Sequence, residues 1–433
     1  MAALVGAFSV LMPLPVSAHA VLLRTDPPDV CGALQTRQYS ERDPRCGAGA
    51  ILPSAPTVVR LRFSTAAQPV GVGGGLRVTA PSGQSVTTGL VQIAGAELSV
   101  PIASDETGTY TVYWEVISDD THPERGQFAF SVGQPSDNVA IPTSTASGIP
   151  PLGLTMQVIG RWLHFVGYAL GFGPLAFGIF VVPAEVFTSQ NAAARRVRTL
   201  VQISIVLLLL AEPLALAGQV ISLGAGGTVD VRLVGDVLAS NFGRVLAQRL
   251  GAAALLWTLL GVLGETARRG TVTRVALALG VALAVADGEA SHAGSGGARW
   301  LGYVANAVHI GAMGLWLGGL ITLVVLWRAL GTMNAREAAV RRFGRLATVA
   351  LALLVVSGTV LAARNLPQPA ALFTSTYGRA LIAKLMVLLD VLFLAVAGTR
   401  LGGRNSHRWW MLEGAAMGGV LLFAAVLVSI PPP

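Results

Sequence analysis

Apolar and polar positions divide the chain into two parts with different periods. Up to about residue 134, short apolar stretches alternate with polar residues, whereas after residue 155 the apolar residues form long runs. Most of these runs exceed the ~17–20 residues that an α-helix needs to cross a bilayer. They predict an all-α polytopic membrane bundle of about eight transmembrane helices. The runs lie near residues 155–187, 199–223, 245–264, 271–287, 301–327, 346–363, 380–399 and 409–430.

The N-terminal part shows the two-residue period of β-strands. VVRLRF at residues 58–63 places its apolar side chains on one face and its two arginines on the other. GTYTVYWEV at residues 108–116 and QFAFSV at residues 127–132 are two further strand-like stretches. Turn residues separate such stretches, and no helical period accompanies them. This pattern predicts an all-β sandwich or a small barrel.

The first 18 residues have the features of a secretory signal peptide. An apolar core is followed by the small residues Val16-Ser17-Ala18. No Lys or Arg precedes the core, and the alternative is a first membrane anchor that is never cut. Cleavage after Ala18 would make His19 the first residue of the mature chain. Its α-amine and its ring Nδ1 could then chelate one metal ion, because metal binding displaces the amine proton near neutral pH.

Composition changes at the end of the β-rich part. A stretch rich in Pro, Ser, Thr and Gly follows it and is typical of a linker. The two cysteines, Cys31 and Cys46, both precede this linker. In an exported domain they are expected to form a disulfide, since two thiolates alone make an incomplete metal site. The predicted organisation is a signal peptide (1–18), an extracytoplasmic β-domain (19–134), a linker (135–153) and a transmembrane domain (154–433).

Charge agrees with a membrane protein and excludes a nucleic-acid partner. Only 12% of the residues are charged, about half the usual share in soluble domains. The net charge of +8 comes from arginines in short loops, and no basic stripe with interleaved aromatics occurs in the N-terminal part. With the N-terminal domain outside, 14 arginines fall in inside loops and 6 in outside segments. This asymmetry predicts a multi-pass protein of the cytoplasmic membrane with an extracytoplasmic N-terminal domain.

Candidate metal ligands lie between two predicted strands of the β-domain. Asp120 and His122 are two residues apart, so their side chains leave an extended chain on the same side, whereas Asp119 points the other way. With the amine and ring of His19 they supply three nitrogens and one oxygen. Such a set in tetragonal geometry favours Cu(II). The alternative is an ordinary acidic turn with a surface histidine.

Three stretches of the N-terminal part resemble the CopC family of copper-binding proteins. They are HA and LRTDP at residues 19–20 and 23–27, APTVVRLRFS at residues 55–64, and SDDTHPERGQFAFSV at residues 118–132. The resemblance implies a Greek-key, cupredoxin-like sandwich with a Cu(II) site at His19, Asp120 and His122.

Two departures from the CopC pattern stand out. Thr121 occupies a position where the family usually has glycine, and residues near 30–49 form an insertion that contains both cysteines. Residues 19–134 contain no methionine, which excludes the thioether Cu(I) site of some family members.

Polar residues within the apolar runs are candidates for a copper path through the membrane. His164, His309 and Met313 fall in the outer halves of their predicted helices, and His292 falls in an outside loop. An imidazole and a thioether facing one cavity suit Cu(I). Glu212, followed by Pro213, could bind a proton or a cation. The alternatives are packing histidines, a core methionine and a capped kink.

Two stretches of the membrane part resemble the CopD family. They are SHAGSGGARWLGYVANAVHIGAMGLWLGGL at residues 291–320 and TSTYGRALIAKLMVLLDVLFLAVAGTR at residues 374–400. Together the two resemblances cover nearly the whole mature chain, and they imply a CopC–CopD fusion of the YcnJ-like copper transport and copper resistance type.

These patterns predict a copper transport protein without catalytic residues, not an enzyme. Cu(II) is captured outside, passes along the membrane path after reduction to Cu(I), and is taken up into the cell. A copper chaperone or a reductase would be the expected protein partner, beside the copper ion and the lipid bilayer. One alternative is a membrane redox protein with haem between His164 and His309. Others are a copper-dependent oxidative enzyme and a periplasmic copper store that confers resistance.

Overall fold

The computed structural model describes residues 20, 22–29, 49–70, 74–118, 123–136, 151–182, 192–224, 231–262, 269–289, 299–366, 368–400 and 406–430. Contacts divide the chain into two compact units, residues 1–154 with 218–244 and residues 155–217 with 245–433. The predicted signal peptide, most of the predicted linker and several predicted site residues lie outside the described residues. Those site residues are His19, Cys31, Cys46, Asp120, His122 and His292.

In the described residues of the N-terminal part of the first unit, nine strands form two sheets. One sheet has the order β1-β3-β7-β6 and the other has the order β2-β9-β8-β4, with β5 also paired to β8. All pairs are antiparallel except β2 with β9, which is parallel. The strands are β1 Leu22–Asp26, β2 Ala50–Leu52, β3 Val58–Phe63, β4 Ala67–Pro69, β5 Leu76–Thr79, β6 Gln92–Ala94, β7 Glu97–Pro101, β8 Gly108–Ser118 and β9 Pro123–Val132.

The two sheets share one apolar core, so the predicted β-sandwich is confirmed. The apolar residues of VVRLRF alternate with its exposed arginines and point into this core. Phe63 of one sheet meets Trp114 of the other edge-to-face, with ring centroids 5.2 Å apart. Tyr110 and Phe130 stack on neighbouring strands at 5.0 Å. The inward face of β8 is therefore the aromatic centre of the domain.

Helices make up the rest of the described chain. They are α1 Pro151–Phe180, α2 Ala192–Gly224, α3 Val231–Ala239, α4 Asn241–Val262, α5 Arg269–Glu289, α6 Arg299–Met313, a π-helix at Gly314–Gly318, α7 Gly319–Leu326, α8 Met333–Asn365, α9 Ala371–Thr374, α10 Thr376–Arg400 and α11 Ser406–Ser429.

Seven helical segments in the described residues are long and apolar enough to cross a membrane. Together with α4, which matches the predicted run near 245–264, they correspond to the eight predicted runs. Gln248 and Arg249 in the first half of α4 lower its hydropathy, so the count of eight is approximate. The seven segments are Pro151–Phe180, Ala192–Leu223, Gly270–Gly288, Trp300–Leu326, Met333–Asn365, Thr376–Arg400 and His407–Ser429.

Glycines bring α1 into backbone contact with the π-helix of the second unit. A Cβ on Gly318 would lie 2.1 Å from the carbonyl oxygen of Ala169, and a Cβ on Gly173 would lie 2.5 Å from Cα of Gly318. Small residues at such crossings let membrane helices approach closely and gain van der Waals contact. Gly314 and Gly318 of the GLWLGGL stretch are therefore packing residues for α1, whereas Gly319 lies against the ring of Phe343 on α8.

Candidate functional site

Strand register brings several chain segments to one end of the β-sandwich. Leu22, the first residue of β1, pairs with Phe63, the last residue of β3. Ala67, which opens β4 a few residues later, pairs with Ser118 at the end of β8. β9 begins at Pro123 opposite the same end of β8. The residues next to His19 and those flanking Asp120 and His122 therefore lie at the same end of the domain.

A buried polar atom lies in the β3–β4 connection at this end. The hydroxyl oxygen of Thr65 is buried and has no hydrogen-bond partner among the residues that the structure describes. A buried hydroxyl without a partner costs free energy, and such groups usually bind an ordered water or a ligand. A hydrated metal ion at this end would satisfy it.

Glu115 is a buried carboxyl group on β8, three residues before the strand ends. It is 6% exposed, and no described residue forms a hydrogen bond with its Oε1. The hydroxyl of Tyr113 lies 3.4 Å from Oε2. Burial raises the pKa of the Glu115 carboxyl to about 7, although Arg125 and the Tyr113 hydroxyl both lower it. Burial also raises the pKa of Tyr113.

Four charged side chains from four helices meet inside the second unit. His164 of α1 places Nδ1 3.0 Å from Oε1 of Glu212 on α2, and Nε2 3.0 Å from Oδ2 of Asp287 on α5. Arg249 of α4 donates from Nε to Oδ1 of Asp287 at 2.8 Å, and its Nη1 lies 3.6 Å from Oε2 of Glu212. We call these four residues the charge tetrad.

The hydrogen bonds of the charge tetrad constrain the protonation of His164. An ionised carboxylate only accepts hydrogen bonds, and a neutral imidazole has only one N–H to donate. With Glu212 and Asp287 both ionised, His164 must be an imidazolium that donates from both nitrogens. The two carboxylates contact different nitrogens of the ring, and the second oxygen of each contacts the guanidinium of Arg249 rather than being left for a metal ion. This agrees with the absence, among the described residues, of a His, Cys, Asp and Glu cluster arranged for a metal.

His309 of α6 has a different environment. Its Nδ1 lies 3.0 Å from Oγ of Ser357 on α8. The Ser357 hydroxyl donates its only hydrogen to backbone carbonyls, chiefly that of Leu353 at 2.6 Å. Ser357 must therefore accept from the Nδ1–H of His309, which in the neutral ring leaves Nε2 with its lone pair. A ring fixed in this way is the usual form of a metal-binding histidine.

Met313 lies one turn after His309, immediately before the π-helix, and is 9% exposed. π-helices are rare and frequently occur at functional sites. Within this one, Trp316 donates from Nε1 to Oε1 of Glu413 on α11 at 3.2 Å. Asn306, one turn before His309, has a buried Nδ2 without a hydrogen-bond partner in the described part of the chain. This side of α6 therefore carries the Nε2 lone pair of His309, the thioether of Met313 and the Asn306 amide donor.

The structure unites some of the predicted membrane residues and adds others. His164 and Glu212 are in direct contact, and His309 and Met313 share one helix, but no hydrogen bond among the described residues joins the two pairs. The sequence analysis did not single out three charged residues that are buried in the membrane part, Arg161, Asp287 and Glu413. It also missed the burial of Arg249, whose side chain is 12% exposed. Arg249 was assigned to an outside segment although it follows the first apolar residues of a run. Its position inside this apolar run is the sequence feature that would have indicated a charge buried among the helices.

Comparisons with known proteins agree with this division. Three family models match the chain: the CopC domain at residues 42–133, the N-terminal domain of copper resistance protein D-like proteins at residues 152–298, and copper resistance protein D at residues 337–427. They define a CopC domain joined to a CopD-type membrane domain.

Two curated relatives and one solved structure are similar to the chain. Copper transport protein CutJ of Bacillus subtilis (strain 168) is 24% identical over 447 residues, which cover 98% of this chain and 76% of that protein. Copper resistance protein C of Xanthomonas campestris pv. juglandis is 34% identical over 86 residues, 18% of this chain and 68% of that protein. The crystal structure of CopC from Methylosinus trichosporium OB3b covers 28% of this chain and 99% of its own, at 22% identity and a TM-score of 0.20.

The chain belongs to the family of CopC–CopD fusion proteins of copper transport and copper resistance. Its apolar helices and its CopD-type domains make it a multi-pass membrane protein.

Proposed function

We propose that this protein captures Cu(II) outside the cell and carries copper across the cytoplasmic membrane by uptake. The observation that carries the proposal is the fusion of a CopC domain with a CopD-type bundle in one chain. In this bundle, Nδ1 of His309 bonds to Ser357, which leaves the Nε2 lone pair for a metal ion. A relative that aligns over 98% of this chain is named a copper transport protein.

The capture site proposed is the α-amine and ring of His19 with Asp120 and His122. Export and cleavage after Ala18 would release the amine. The common end of the sandwich shared by β1, β8 and β9 supports this ligand set, because both parts of it adjoin that end. The orphaned hydroxyl of Thr65 supports a hydrated ion there. The β-domain is proposed to be extracytoplasmic, with a disulfide between Cys31 and Cys46.

The membrane path proposed runs from His292 to His309 and Met313, with copper as Cu(I). The Nε2 lone pair of His309 and the soft thioether of Met313 lie one turn apart, and an imidazole together with a thioether suits Cu(I). His164 and Glu212 are left out of this ligand set, because both ring nitrogens of His164 are already bonded to carboxylates. The same bonds disfavour haem ligated by His164 and His309, since that would break a buried ion pair.

Copper content of cells tests the direction of transport. Cells that lack the protein should contain less copper at limiting supply, and the intact chain should restore it. The His19→Ala chain should restore it only at higher external copper, because capture is weakened while the membrane path is intact. A periplasmic store instead predicts unchanged copper content with greater copper sensitivity, and that result would contradict uptake.

A further inference from the structure

The charge tetrad lies inside the membrane part and has no role in the proposed ligand set. Glu212, His164 and Asp287 are between 1% and 4% exposed, and the side chain of Arg249 is 12% exposed. Ionised groups at such positions in a membrane protein are costly unless they are paired, and they commonly mark ion or proton pathways. The tetrad pairs two carboxyl groups with His164 and Arg249, and with both carboxyls ionised its charges cancel when His164 carries a second proton.

Within the described residues, three charged groups from three other helices surround His164. Glu212 of α2, Asp287 of α5 and Arg249 of α4 are the charged ones. On α1 itself, the ring of Phe165 is 6.0 Å from that of His164. Tyr168, one turn further, donates its hydroxyl hydrogen to the carbonyl oxygen of Gly280 at 3.1 Å. Within the described residues, no cationic side chain other than His164 and Arg249 contacts the carboxylates of Glu212 and Asp287.

The net charge of the tetrad therefore changes by one unit when it loses or gains one proton. With one proton on each ring nitrogen of His164, the net charge is zero and both carboxylates accept a hydrogen bond. Loss of one proton leaves a net charge of −1 and a nitrogen lone pair facing a carboxylate oxygen at 3.0 Å. In a medium of low dielectric this uncompensated charge is costly. A monovalent cation nearby would restore neutrality.

We propose that the charge tetrad holds one exchangeable proton and releases it when Cu(I) occupies the membrane path. The step breaks one N–H bond of the His164 imidazolium, and the proton goes to water. The single positive charge lost with the proton is replaced by that of Cu(I), and no oxidation or reduction takes place. The exchange rests on the proposed transport function and adds the proton as a coupled ion.

Proton movement during copper transport tests this exchange. The full chain is placed in sealed lipid vesicles that contain a pH-sensitive dye and a Cu(I) chelator, and Cu(I) is supplied outside with a reductant. The expected result is about one proton leaving the vesicle per copper ion taken up. Copper uptake without proton movement would overturn the exchange and leave the proposed function standing. Absence of copper uptake by the unaltered chain would instead overturn the proposed function.

Matched variants assign the proton to the tetrad. Glu212→Gln and His164→Gln should each lower proton movement per copper ion at least tenfold. In Glu212→Gln, Arg249 alone balances Asp287, so His164 needs no second proton, and in His164→Gln the ring that holds the exchangeable proton is absent. Glu413→Gln removes another buried carboxyl, the one bonded to Trp316, and should keep the ratio near one proton per ion. An equal loss in Glu413→Gln, or an unchanged ratio in Glu212→Gln, would overturn the assignment.

A spectroscopic measurement decides the exchange without any transport. Solid-state NMR of the full chain in lipid, with nitrogen-15 in its histidines, distinguishes an imidazolium from a neutral ring. The expected spectrum at neutral pH contains an imidazolium signal that Glu212→Gln converts to a neutral one and that Cu(I) converts in the unaltered chain. A neutral His164 before copper addition, or an imidazolium that persists after it, would overturn the proposal.

Discussion

Glu115 illustrates how one buried carboxyl couples the β-domain to pH. Burial raises its pKa from an ordinary 4.5 to about 7, so the folded domain holds this proton more tightly than the unfolded chain. Between these two values, stability must fall as pH rises, because the unfolded state has already lost the proton. We expect the free energy of unfolding to decrease by up to about 3 kcal/mol over this interval.

Denaturant unfolding of the β-domain at several pH values checks this slope. The Glu115→Gln domain is the control, because an amide keeps the shape of the side chain and does not titrate. The difference in stability between the two domains should change between pH 4.5 and 7 and level off above. A difference that is independent of pH would show that Glu115 titrates normally.

The two neighbouring aspartates before His122 offer a matched test of the capture site. Asp120 shares a side of the extended chain with His122, whereas Asp119 faces the other way. Asp120→Asn should weaken Cu(II) binding by the mature chain at least tenfold, about 1.4 kcal/mol. Asp119→Asn should change it less than threefold. Competition with a coloured Cu(II) chelator measures both, and equal effects would show that the ligand is misassigned.

Sequence reasoning identified the histidines of the membrane part but not their chemistry. Spacing along a helix shows that His309 and Met313 share a face. It does not show that Ser357 fixes one ring nitrogen of His309, or that two carboxylates occupy both nitrogens of His164. Those partners come from helices that are distant in sequence. Asp287 lies 123 positions from His164, and only tertiary packing brings them to 3.0 Å.

Glycine contacts govern how the helices of the second unit pack. Gly318→Ala would place a methyl group against the backbone of α1, 2.1 Å from the Ala169 oxygen. We expect a loss of about 1–3 kcal/mol or more, the usual cost of overpacking a close contact. Gly311→Ala, on the preceding helix, meets no atom within 4 Å and should leave stability unchanged or slightly higher.

Thermal unfolding of the full chain in detergent compares the two variants. The melting temperature should fall in Gly318→Ala and not in Gly311→Ala. Equal behaviour would mean that α1 and the π-helix do not meet at their backbones.

Elements with a regular hydrophobic period could be predicted from the sequence. Features that depend on contacts with neighbouring strands or helices could not. The stretch VVRLRF gave β3 with its correct buried face because the two-residue alternation is a local signal. Gly126, in the third stretch that resembles the CopC family, is required by a tertiary contact that the sequence does not show. A Cβ on Gly126 would lie 2.6 Å from the ring of Trp114 on the paired strand. The π-helix likewise had no sequence period to predict it.

Arginine distribution is the basis of the proposed orientation of the whole molecule. The structure removes one member from the outside count, because Arg249 pairs with Asp287 within the helices. The asymmetry is thereby strengthened, with 14 arginines still in the predicted inside loops. The β-domain should consequently face the exterior and the start of α8 the cytoplasm.

Labelling with a membrane-impermeant thiol reagent tests this orientation. Cys31 and Cys46 are first replaced by serine, and a single cysteine is introduced at an exposed position. Ser82→Cys in the β-domain should react in intact cells with the outer membrane or wall removed, and Glu337→Cys at the start of α8 should react only after lysis. The reverse pattern would place the β-domain inside.

Copper uptake by sealed vesicles that contain the purified full chain is the most direct test of copper transport. The unaltered chain should carry Cu(I) to an internal chelator. His309→Gln should lower the initial rate of uptake at least tenfold, because the Nε2 of His309 is a proposed ligand of Cu(I). His407→Gln, which changes a histidine at the start of α11, should match the unaltered chain. Rates equal to those of protein-free vesicles, or an unimpaired His309→Gln, would contradict the account.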